Sequence, residues 1–91
     1  MPFNITNFTV SSSIELYRNG KKQSHFNSVA ISVAEEDEES IKEFRSRMAL
    51  ECYKNNVKDA LMSSFISLEE AKDLISTAKS NHDVIYLKQE K

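Results

Sequence analysis

Cys52, His25 and His82 are the side chains of this sequence best suited to attack a substrate, move a proton or hold a metal. A thiol becomes a useful nucleophile when a base lies within hydrogen-bonding reach, which here requires Cys52 beside one of the two histidines. Nothing in their spacing brings them together. Cys52 falls on an apolar stripe of a helical segment and reads as core, since a free cysteine behaves as a small hydrophobe. His25 belongs to one arm of a hairpin pattern, and His82 follows a helical segment, where an imidazole pairs with the last carbonyls.

Metal and cofactor chemistry have no sequence signature either. Cys-x-x-Cys and His-x-x-x-His pairs are absent, and the acidic run Glu35, Glu36, Asp37, Glu38, Glu39 lacks the alternating ligands and central glycine of a calcium loop. A phosphate-cradling loop needs several glycines, whereas Gly20 is the only one and belongs to a turn. The expectation is a protein without cofactor or metal that is not an enzyme. An enzyme built from carboxylates that meet in space ranks third.

A chain of 91 residues with 40% hydrophobic content builds one core, so residues 1–91 read as a single domain. With 14 acidic and 12 basic residues, the chain lacks the basic excess that draws proteins to phosphate backbones. A lone cysteine fits a reducing compartment. The N-terminus shows no basic region followed by an apolar run, and no stretch nears the roughly 18 apolar residues of a membrane span. The expectation is a cytoplasmic protein that does not use a membrane.

The elements that position these residues begin with Asn19-Gly20, the dipeptide suited to a type I′ turn with positive φ at both residues. Pairing about that turn sets Val10 opposite Val29 and Phe8 opposite Ile31, with Ile14 and Leu16 on the same face and Ser12 opposite Asn27 as a polar interruption. A longer loop through residues 21–24 is the alternative. Ser40 with Glu43 has the form of a capping box, and the acidic run beside it suits a helix N-terminus. The same run is also a candidate docking patch for a basic partner.

The helix that follows carries two stripes in nearly opposite directions: Ile41, Phe44, Met48 and Cys52, then Leu50, Tyr53, Val57, Ala60 and Leu61. Either it breaks near Asn55-Asn56, or it is continuous and one half faces a second subunit, which is the motive for expecting a homodimer. A second capping box, Ser67 with Glu70, opens a helix with a stripe of Leu68, Ala71, Leu74, Ile75 and Ala78 that ends near Asn81. Val84, Ile85, Tyr86 and Leu87 read as a strand covered on both faces. The fold class is α+β: an antiparallel hairpin plus a C-terminal strand, covered on one face by two helices.

The arm around the turn collects Tyr17, Arg18, Lys21, Lys22, His25 and Phe26, which combine cations with rings and form the candidate partner-binding site. The leading function is a binding protein, an inhibitor, adaptor or regulator acting on a larger protein. The alternative is a nucleic-acid-binding regulator that sets the basic tip on phosphates and stacks bases on its rings. A strand followed by two helices also raises the ribbon-helix-helix readers of DNA, but residues 28–33 offer Ser and Ala where base edges are read by Arg, Lys or Gln.

Overall fold

A computed structural model describes residues 5–34, 38–77 and 82–88. Strands β1 (Ile5–Arg18) and β2 (Lys21–Ala34) form the hairpin, followed by helices α1 (Glu38–Met62) and α2 (Leu68–Ser76) and strand β3 (His82–Tyr86). The turn is the tight one: Asn19 and Gly20 have φ of 53° and 78°. Val10 pairs with Val29 and Phe8 with Ile31, the register in which apolar residues share a face.

β3 adds to the other side of β1 and runs parallel to it, giving a mixed sheet of order β2-β1-β3. A parallel neighbour requires a long crossover, and α1 and α2 supply it. Both helices lie on one face. Ile14 and Leu16 from β1, Tyr53, Val57 and Ala60 from α1, Ile66, and Ala71 from α2 form the buried cluster, with Ile85 and Leu87 packed against it.

β3 corrects one expectation. Its residues alternate between half-buried and exposed rather than being covered on both sides, with Val84 and Tyr86 outward. A second covered face would need a third layer, and both helices are already committed to the other side.

α1 is continuous through Asn55-Asn56. Its two stripes are joined rather than opposed: Cys52 and Tyr53 are both buried, Asn56 and Val57 follow one turn later, and Leu50 is turned outward. The weak helix former Asn56 is retained because its side chain is satisfied, donating to the Ser12 carbonyl at 2.9 Å and accepting from Asn27 Nδ2 at 2.5 Å. The helix therefore needs no second subunit to bury its C-terminal half.

The helix ends also differ from expectation. α1 starts at Glu38, so Ser40 lies within the helix rather than at its cap, and Glu38 and Glu39 occupy the first turn, where the dipole favours acidic residues. The rest of the acidic run, residues 35–37, lies outside the described residues. α2 has the expected capping box, with Glu70 N–H donating to Ser67 Oγ and Ser67 N–H donating to Glu70 Oε1. It stops at Ser76, short of Asn81: Thr77 is its C-cap and leaves helical geometry with φ of −114° and ψ of 15°, while its hydroxyl covers the Asp73 carbonyl. Ala78 and Asn81 are outside the described residues, and Leu68 and Ile75 of the predicted stripe are exposed.

Candidate functional site

Strand alternation divides the predicted site between two faces of the sheet. Residues directly opposite in an antiparallel pair share a face, and neighbours along a strand do not. Tyr17 pairs with Lys22 and Ser13 with Phe26, while Arg18 pairs with Lys21 and Ile14 with His25. Tyr17, Lys22 and Phe26 thus stand on the face without helices, and Arg18, Lys21 and His25 on the helix side.

The helix-side group is largely structural. Arg18 forms an ion pair with Glu70 of α2. Burial pushes the Glu70 carboxyl up, but hydrogen bonds from Arg18 and Ser67 together with the Arg18 charge outweigh it and hold the pKa below the usual value. His25 Nε2 lies 2.6 Å from Gln23 Oε1, which also accepts from Ser63 Oγ at 2.7 Å. These contacts tie the hairpin tip to the ends of the helices.

The open face is different in character. Tyr86 of β3 stacks on Tyr17 of β1, with centroids 5.1 Å apart and planes 19° apart. Tyr86 is 77% exposed, Phe26 67% and Val84 45%. Lys22 lies 5.9 Å above the Tyr17 ring and 2.7 Å from Glu15, so its charge is shared between a π face and a carboxylate. The hydrogen bond from Lys22 chiefly holds the Glu15 pKa below its ordinary value, against the cost of desolvation, and Glu15 in turn raises the Lys22 pKa.

His82 corrects another expectation. The helix ends before it, so it opens β3 instead of pairing with helix carbonyls, and lies between Ser13 Oγ at 2.5 Å from Nδ1 and Glu15 Oε2 at 3.1 Å from Nε2. Hydroxyl, imidazole and carboxylate in a line are the parts of a nucleophile relay. In the sheet these side chains bridge two strands, Ser13 and Glu15 belonging to β1 and His82 to β3. The trio serves as a lateral clasp between β3 and β1.

Cys52 is buried, with Sγ 3.9 Å from the Val10 carbonyl oxygen, and burial, followed by the charge of Glu51, pushes its thiol pKa up. That is the opposite of thiolate activation. Among the described residues, no group of three or more His, Cys, Asp or Glu is placed to hold a metal, and no helix is long and apolar enough to cross a membrane.

The sequence reasoning missed Tyr86, Val84 and the Ser13, Glu15, His82 clasp. Period-two alternation alone would have separated Tyr17, Lys22 and Phe26 from Arg18, Lys21 and His25; the partnership of Tyr17 with Tyr86 depends on the parallel register of β3, which has no local signal. The chain matches no family model, no curated protein and no solved structure.

Proposed function

We propose that this protein is a non-enzymatic binding module that engages a larger protein through the open face of its sheet, with Tyr86, Phe26 and Val84 as the principal contacts. The exposure of two aromatic rings and a valine on one face, which no element covers among the described residues, is the observation that carries the reading. Aromatic side chains supply large contact area and dominate interface energies. Glu15 and Lys22 add an ion pair beside the rings that fixes orientation more than affinity.

Nucleic acid is a poorer occupant of the same face. Lys22 is compensated by Glu15 and Arg18 by Glu70, so the tip offers phosphates less charge than its sequence suggests. The Tyr17 and Tyr86 rings also stack on each other, which takes up one face of each ring that a base would otherwise use.

Affinity capture from the native cell with the wild type and with the Phe26→Ala, Tyr86→Ala double variant, read by quantitative mass spectrometry, tests this. The expected outcome is a protein captured by the wild type and lost with the folded variant. Equal capture by both, or recovery of nucleic acid in a salt-sensitive manner, would contradict it.

A further inference from the structure

The open edge of β1 is a second surface, separate from the open face. β3 pairs with β1 only from Ser13 to Tyr17, so residues 5–12 of β1 have no strand on that side among the described residues. The Leu87 N–H donates to the Tyr17 carbonyl at 2.8 Å, which shows that odd-numbered peptide groups of β1 face β3. By alternation the N–H and C=O groups of Asn7, Thr9 and Ser11 face outward along the part of the same edge that has no strand among the described residues. This stretch, ITNFTVSS, carries no charge and no proline, the usual devices that block strand addition.

We propose that the edge is completed by β1 of a second copy of this chain, paired antiparallel about a two-fold axis near Phe8. Three features favour a second copy. First, the notch is self-complementary: a two-fold places β1 of each copy beside residues 5–11 of the other and ends it where the other's β3 begins, so neither β3 is displaced. Second, α1 packs on β1 and β2 alike. The partner's α1 would then lie two strand spacings away, about 9.6 Å, within the usual 8–10 Å separation of packed helices. The α1 side that borders this edge carries Ser46 and Ala49, small residues that line a cavity of about 210 Å³ with Thr9, Val10, Ser11 and Arg45.

Third, the molecule is elongated, measuring 64 × 18 × 18 Å, with a radius of gyration of 16.0 Å where a compact chain of this length has about 12 Å. At the end of the sheet holding residues 5–12 of β1, Ile5 is 65% exposed, and Phe8, Ile41, Phe44 and Met48 are half-buried. Arg45, which lies over the Phe8 ring, is the cation that the dimer must accommodate. Pairing would give a continuous sheet with both open faces on one side.

Sedimentation and amide hydrogen exchange test the proposal. The wild type is expected at twice the 10.4 kDa chain mass at high micromolar concentration, with the amides of Asn7, Thr9 and Ser11 protected there and losing protection on dilution. Thr9→Pro removes one outward N–H and is expected to yield a folded monomer, whereas Ala30→Pro, the matched change on the outer edge of β2, leaves the dimer intact. A monomeric wild type, fast exchange at those three amides in a dimer, or dissociation by Ala30→Pro and not Thr9→Pro would overturn it. Protection appearing only when another protein is added would assign the edge to a different strand donor and equally overturn the second copy. Should Thr9→Pro fail to fold, the wild-type exchange pattern decides.

Discussion

Asn56 of α1 donates a hydrogen bond to the backbone carbonyl of Ser12 in β1 at 2.9 Å, in a core where both residues are almost wholly inaccessible. Asn27, opposite Ser12 on β2, completes the link by donating to Asn56 Oδ1. A polar side chain in an apolar interface is satisfied in few positions, so this contact fixes how the helix is set along the hairpin as well as contributing to stability. Asn56→Ala is expected to cost about 1 to 3 kcal/mol by chemical denaturation, because it removes the buried bond to the Ser12 carbonyl and leaves Asn27 only the longer contact to Asp59. Combining it with Asn27→Ala should cost less than the sum of the two single changes, and strict additivity would show the pair is not coupled.

The convergence of the α1 stripes gives a contrast within one helix. Val57 is fully buried and Leu50 is 39% exposed. Val57→Ala is expected to destabilise by about 1 to 3 kcal/mol and Leu50→Ala by less than about 1 kcal/mol. Equal losses measured from denaturant midpoints would mean that the helix is rotated relative to the sheet.

Two carboxyls at acid pH and one hydroxyl at alkaline pH bound the stable range. Glu15 and Glu70 have folded pKa values below the ordinary 4.5, so the stability they add is present above pH 4.5 and is lost as pH falls through their folded values. Burial, helped by the charge of Asp83, pushes the Tyr53 hydroxyl from 10.0 up to about 12. Its neutral form favours folding, so that contribution is complete below pH 10 and disappears as pH rises through about 12. Denaturant midpoints should decline at both ends, and Tyr53→Phe should flatten the alkaline decline. An unchanged alkaline limb in that variant would remove Tyr53 as its cause.

Gly20 has φ of +78° and nothing within 4 Å of where a Cβ would stand. Gly20→Ala therefore meets no clash and suffers from backbone strain alone, at about 1 kcal/mol. A cost above about 3 kcal/mol in thermal or denaturant unfolding would point to contacts at the turn that the structure does not contain.

The legible parts of this fold are those with local causes. Asn19-Gly20 sets the hairpin register through the dihedral demands of its turn, and Ser67 with Glu70 sets the start of α2 through its unsatisfied amides. Ser12 opposite Asn27 was visible as a polar interruption, but its meaning was not, because the third member, Asn56, looks from sequence like a helix breaker. The open face was half legible. Tyr17, Lys22 and Phe26 are neighbours in sequence of Arg18, Lys21 and His25, which the alternation of the strand sends to the other side. Tyr86, the most exposed ring on that face, meets Tyr17 through a parallel register set by the packing of α1 and α2 between the strands.

In the proposed mode of binding, exposed rings on the open sheet face, rather than cations at the hairpin tip, hold the partner. Titration calorimetry with the captured partner measures this directly, using Phe26→Ala, Tyr86→Ala and the Lys21→Ala, Lys22→Ala pair after circular dichroism shows each to be folded. Each aromatic change is expected to cost about 2 kcal/mol, roughly a 30-fold rise in Kd, and the lysine pair less than about threefold. Full affinity in both aromatic variants, with the loss falling on the lysine pair and growing as salt is lowered, would instead assign the contact to the cations of the tip.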